Sequence, residues 1–167
     1  MLEIVTHPNE ILHKKSKEID TDAIKSSVNL QSLIPKMVYT MYSDDGIGLA
    51  APQIGQNIRI CIIGKDAIKM DKKTNITKKS EDIVLINPVW QKTSRKQNWD
   101  TEGCLSVPKT YGKVKRYNHI EINAFDKNGE KINFTANGFF ARVIQHEVDH
   151  LDGILFIDKA KDIYNVE

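Results

Sequence analysis

The chain has 167 residues, 40% hydrophobic and 28% charged, with 24 basic and 22 acidic side chains and a formal net charge of +2. That profile is close to an ordinary globular protein and fits one compact domain with a sizeable core. The near balance of charge argues against broad electrostatic attraction to nucleic acid, leaving only a local patch open. No apolar run approaches the roughly 18 residues a bilayer demands.

In chain order, the opening Met1–Pro8 lacks a basic leader followed by an apolar stretch and a small-residue cleavage site. From about Asp22 to Tyr42, Ile24, Val28, Leu33, Ile34, Met37, Val38 and Met41 recur at helical spacing. Pro35 lies inside that pattern, so the helix is expected to kink or restart there, and Ser43-Asp44-Asp45-Gly46 ends it. Ile58–Ile63 and Ile83–Ile86 read as strands, the second stopped by Asn87-Pro88. Between them, Lys65–Asp82 is mostly polar and reads as an exposed, mobile loop.

His119–Phe125 alternates as a strand, Lys127-Asn128-Gly129 supplies a hairpin turn, and Ile132–Phe134 returns. A last helix runs from about Asn137, a plausible N-cap, to Leu151, with Gly153 as its stop. Mostly antiparallel strands with two separated helices predict an α+β fold. Cys61 lies in an aliphatic run and reads as a buried inert thiol, whereas Cys104 sits among glycine, serine and an acid. Two such cysteines make no disulfide framework, and a cytoplasmic location is the expectation.

The last helix carries His146-Glu147-Val148-Asp149-His150. Histidines four apart stand one turn apart on one helix face, so both imidazoles can reach one metal ion. Glu147 can then address water beside that ion without being a ligand. Phe139 and Val143 continue the stripe toward the helix start. The competing account is two core histidines with Glu147 on a solvated face.

A catalytic zinc-like ion usually takes three protein ligands and keeps one position open. The tail after His150 offers only Asp152, Asp158, Asp162 and Glu167, so the third ligand is expected upstream. Cys104, in Glu102-Gly103-Cys104-Leu105-Ser106, is the candidate, and a Cys–His–His set suits Zn(II) or Fe(II) rather than Mg(II) or Ca(II). A buried, inert thiol is the other reading of this residue. Glu102 and Asp149 are either acceptors for the free N–H of a ligand histidine or surface carboxylates. Arg142 is read as structurally paired with an acid and is not assigned to substrate.

Together with Gly46-Ile47-Gly48-Leu49-Ala50-Ala51-Pro52-Gln53, the Glu102–Ser106 turn and Gln145–Gly153 resemble the three signature segments of peptide deformylases, in the right order. His7-Pro8-Asn9-Glu10-Ile11-Leu12 is also similar to the start of that family. The resemblance implies an α+β catalytic domain over residues 1–167, with antiparallel sheets around a metal-binding helix. It implies one divalent ion per chain, Fe(II) favoured and Zn(II), Ni(II) or Co(II) able to replace it, held by Cys104, His146 and His150.

By the same resemblance Glu147 is the general base and later acid, while Gln53 and the Leu105 amide stabilise the oxyanion. Ile47, Gly48, Gly103, Phe139 and Val143 would line the substrate cleft. The substrate would be N-formyl-methionyl nascent polypeptides, deformylated to formate and a free N-terminus. Some relatives continue with a basic helix directed at the ribosome. Here only Lys159 and Lys161 remain, beside Asp158 and Asp162, which leaves at most a transient ribosome contact expected. The alternatives are a zinc endopeptidase built on the same helix and a non-enzymatic metal-stabilised binding module.

Overall fold

The structure, a computed structural model, describes residues 1–167. After 3-10 turns at Glu10–His13 and Thr21–Ala23 come α1 (Val28–Ser43), β1 (Gly48–Ala50), a 3-10 turn at Ala51–Ile54, β2 (Ile60–Ile63) and α2 (Lys65–Lys69). The chain continues through β3 (Ile83–Lys92), β4 (Gln97–Cys104), β5 (Val107–Tyr117), β6 (His119–Phe125), β7 (Lys131–Asn137) and α3 (Gly138–Leu151). A 3-10 turn at Phe156–Asp158 leads into β8 (Lys161–Asn165). The strands form one five-stranded sheet, β1-β2-β3-β6-β7, and one three-stranded sheet, β4-β5-β8, with antiparallel pairing throughout. The α+β expectation holds. No helix is long and apolar enough to cross a membrane.

The five-stranded sheet is covered on both faces, which explains the unbroken aliphatic run of β2. Ile60 and Ile62 of β2, with Val84 and Ile86 of β3, pack under Leu30, Ile34, Met37 and Met41 of α1. The alternate residues Cys61, Ile63 and Leu85 pack against Phe140, Ala141, Ile144 and Val148 of α3. A third cluster, Leu12, Val107, Val114, Leu155 and Phe156, lies under the three-stranded sheet. α3 touches strands of both sheets and is buried along most of its length. Its histidines are thereby held by packing on several sides.

Three local expectations change. Pro35 sits inside one continuous helix that starts at Val28, with the Ser27 side chain accepting from the Leu30 N–H; Ile24, the one periodic residue before it, ends a separate 3-10 turn as its C-cap. Asn87-Pro88 does not stop β3 but marks a bulge between Ile86 and Val89, where Asn87 takes φ 50°. The Asn87 side chain accepts from the Ile19 N–H and donates to its carbonyl, which fastens the N-terminal segment to the bulge.

The polar stretch 65–82 is also more ordered than its composition implies. It begins as α2, whose Lys65 N–H donates to Asp82, and then folds over the start of α3. Asp71 is buried and accepts from the Lys73, Thr74 and Asn137 N–H groups, while the Thr74 hydroxyl donates to the Thr135 carbonyl. Asn137 thus precedes the helix as expected, but its side chain bonds Asp71 instead of capping the first turn.

Candidate metal centre and active site

α3 presents His146 and His150 one turn apart, with ring centroids 5.0 Å from each other. Cys104 arrives from the end of β4, where the pairing of β4 with β5 shifts between Gly103 and Cys104. That bulge turns the thiol toward the helix, and Sγ lies 3.3 Å from His150 Nε2. One ligand atom from each of Cys104, His146 and His150 lies within 4.8 Å of the others. Sulfur plus two imidazoles suits a borderline or soft divalent ion, and three donors leave a position for substrate or water. His150 Nδ1 is buried with no hydrogen-bond partner in the protein.

Glu102, two residues before Cys104, holds the other end of the site. His146 Nδ1 donates to Glu102 Oε1 at 2.9 Å, which leaves Nε2 to face the cluster. Arg116 donates to both Glu102 oxygens at 2.9 Å, and Arg142 adds a bond to Oε2 at 2.6 Å. Arg116 also bonds Asp149 at 2.5 Å, and Lys159 reaches Asp149 at 3.0 Å. Burial alone would raise the Glu102 pKa, but the bonds from His146 and Arg116 outweigh it and hold the carboxyl well below the usual range. Burial lowers His150 well below an ordinary histidine, which keeps it neutral and able to act as a ligand. Glu102 takes the first of the two readings open to it, as acceptor for His146, whereas Asp149 fits neither: it is buried but bonds Arg116 and Lys159 instead of a ligand histidine, and Arg142 is paired with an acid.

Glu147 points into the cavity beside Gly48 and has Oε2 buried without a partner. Burial pushes its carboxyl up to about 7. A Cβ on Gly48 would lie 2.6 Å from Glu147 Oε1 and 2.9 Å from its Cδ, so this glycine makes room for the carboxylate. Gly48→Ala is expected to push Glu147 aside and lower kcat by about 100-fold, the usual result of a misplacement near 1 Å. Steady-state kinetics checks it; an unchanged kcat would show that the carboxylate position is slack.

Gln53 is fixed from both ends of its amide. Its Oε1 accepts from the Ala50 N–H at 2.9 Å, so Nε2 must face Ser106 Oγ, at 3.2 Å, and Cys104 Sγ, at 3.5 Å. The N-terminal segment braces this arrangement: the Val5 N–H donates to the Gln53 carbonyl and the His7 N–H to the Ser106 carbonyl. The opening segment thus ties the Gln53 turn to the Cys104 turn.

A cavity of about 500 Å³ opens over these groups. Its walls include Ile47, Gly48, Gln53, Gly103, Cys104, Leu105, Phe139, Val143, His146 and Glu147, while His150 lies outside that wall, against Cys104. The eleven candidate residues therefore converge on one place. Val143 is buried in the floor, whereas Phe139 stands half-exposed at the rim. Sequence reading did not single out Arg116, Thr101, Lys109 or Tyr111. Arg116 would have been found from the β5 alternation, where Gly112, Val114 and Arg116 are buried between exposed Lys113 and Lys115.

Fold and site together define an α+β protein with a Cys–His–His cluster able to hold a metal ion and a buried carboxylate beside it. A model of the polypeptide deformylase family matches residues 1–165, and the chain belongs to that family. It is 41% identical over 165 residues to "Peptide deformylase" of Thermodesulfovibrio yellowstonii, covering 98% of this chain and 91% of that one. It is also 41% identical over 158 residues to "Peptide deformylase 1B, chloroplastic" of Oryza sativa subsp. japonica, covering 95% of this chain and 54% of the relative. The chain thus spans about half the length of the plant relatives it matches. Among solved structures, the peptide deformylase of Thermotoga maritima aligns with a TM-score of 0.82 at 32% identity, covering 96% of this chain and 98% of that one. The endopeptidase reading is not favoured, because the third ligand candidate is the upstream Cys104.

Proposed function

We propose that residues 1–167 form a single catalytic domain, a metal-dependent peptide deformylase that removes the N-formyl group from N-formyl-methionyl nascent polypeptides and releases formate. The observation that carries this reading is the convergence of Cys104, His146 and His150, within 4.8 Å of one another, with the buried, unpaired carboxylate of Glu147. Cys104, His146 and His150 hold one divalent ion, Fe(II) in preference to Zn(II), Ni(II) or Co(II). When bound, the ion supplies polarisation of the formyl carbonyl and acidifies water at its open position.

The protein's own groups do the remainder. Glu147 takes a proton from the attacking water and returns it to the leaving amine, and a carboxyl raised to about 7 is suited to both steps. Gln53 Nε2 and the Leu105 N–H donate to the formyl oxygen as negative charge develops there. Val143, Phe139 and Ile47 receive the methionine side chain. Gly48 and Gly103 lie on β1 and β4, each at the edge of its sheet, so an extended substrate backbone can add between them. Free Cys61 and Cys104 thiols suit a reducing compartment such as the cytoplasm.

Chelation tests the reading. Dialysis against a strong chelator is expected to abolish deformylation of a formyl-methionyl peptide, and Fe(II) or Zn(II) to restore it. Full activity in protein shown by elemental analysis to carry no metal would overturn the reading.

A further inference from the structure

The outer face of the three-stranded sheet carries a pattern that deformylation leaves unused. In register, Trp99 lies opposite Lys115 and Gly103 opposite Tyr111 across β4 and β5, while Tyr111 faces Tyr164 and Lys113 faces Lys161 across β5 and β8. Directly opposed residues share a face. Trp99, Tyr111, Tyr164, Lys113, Lys115 and Lys161 therefore form one surface, and all six are exposed. The aromatic residues keep 43%, 37% and 50% of their area open to solvent.

The two acids of β4 are turned away from this surface. Glu102 pairs with Gly112, and Asp100 with Val114, on the opposite side of the sheet. Asp162 sits at the β8 irregularity with φ 53°, flanking the face rather than opposing a lysine across it. A chain of net charge +2 thus concentrates three lysines on one side of a small sheet. The aromatic rings are already arranged as platforms: Tyr111 and Tyr164 stack at 5.8 Å and 27°, and Lys161 Nζ lies 3.9 Å above the Trp99 ring.

Lysines interleaved with partly exposed aromatic rings match a flexible polyanion whose units carry flat apolar faces, which would stack on the outward side of each ring. An acidic peptide would neutralise the lysines but leave the aromatic planes unused, and a duplex would present its phosphates but not its base faces. We propose that this face binds single-stranded nucleic acid without sequence preference, through phosphate contacts to the lysines and base stacking on Trp99, Tyr111 and Tyr164. The inference stands apart from the deformylase reading. Because Tyr111 also lines the cavity, a bound strand would run past the cleft mouth.

The test is fluorescence anisotropy of labelled oligouridylate and oligoadenylate RNA, about twelve nucleotides long, with the metal-loaded protein over a salt series. Both RNAs are expected to bind, with log K falling against log salt at a slope of about −2 for three phosphate contacts. Lys113→Glu/Lys115→Glu should weaken binding at least tenfold, and Trp99→Ala roughly 5- to 100-fold by loss of one stacked base. Neither variant should change the turnover of a short formyl peptide, since these residues lie outside the cavity wall, and the lysine variant, at exposed positions, should also keep the thermal midpoint. Absent binding at low salt, or binding untouched by these variants, would overturn the proposal. Equal or tighter binding of a blunt duplex or of poly-glutamate would also overturn it, the latter giving the face to an acidic polypeptide.

Discussion

Glu102→Ala is expected to cause the largest loss of stability of any single substitution at the site, roughly 3–5 kcal/mol, because it strips a partner from two buried cations. Arg116 would keep Asp149, and Arg142 would keep the Val114 and Asn98 carbonyls, but both guanidiniums would lose their bonds to the removed carboxylate. His146 would lose the acceptor that fixes its Nδ1 proton, so metal affinity should also fall by about 10- to 100-fold. Denaturant unfolding measures the first effect, and competition with a chromogenic chelator the second. The pH dependence has a definite sign. Burial opposes the charge, but His146 and Arg116 depress the Glu102 pKa well below its ordinary value. Its contribution is therefore complete above the ordinary carboxylate range and is lost as pH falls through and below that range. The gap between wild type and variant should close in acid. A gap that stays constant, or one below about 1 kcal/mol at neutral pH, would mean that the network is incidental to stability.

Glu147→Gln should separate chemistry from structure. The amide keeps the side chain's size beside Gly48 but cannot take a proton from water, so the rate is expected to fall by about 10²- to 10⁴-fold. Metal content should stay as in the wild type, since Glu147 is outside the Cys104–His146–His150 set. Stability should not drop. Burial raises the Glu147 carboxyl to about 7, so its ionisation opposes folding progressively from the ordinary carboxylate pKa up to that pH, and fully above it. The neutral amide removes that opposition, and the variant should unfold no earlier than the wild type at pH 8. Loss of metal together with activity would instead identify Glu147 as a ligand.

The site was more legible than the sheets, for a physical reason. The i, i+4 histidines and their intervening glutamate need only a helix to be brought together, and the helix announces itself through its apolar spacing. Cys104 stood out because its neighbours were not those of a core cysteine. β4 announced nothing: Gln97–Thr101 are exposed on an edge strand, with no apolar alternation to read. β8 is likewise exposed at every position. The polar stretch 65–82 looks mobile from its composition, but its order comes from one buried acid, Asp71, acting on Asn137 far along the chain. The Asn87-Pro88 bulge escaped for a similar reason, since its support comes from Ile19. Composition reports local preference; these segments are set by distant partners.

The most direct test of the account is formate release from formyl-Met-Ala-Ser by anaerobically purified, iron-loaded protein, run beside acetyl-Met-Ala-Ser and an unformylated peptide with an internal methionine. Rapid release of formate from the first, with the other two left intact, is the predicted result. Folded protein carrying one metal ion per chain that releases no formate, or that cuts the internal peptide bond instead, would contradict the deformylase assignment.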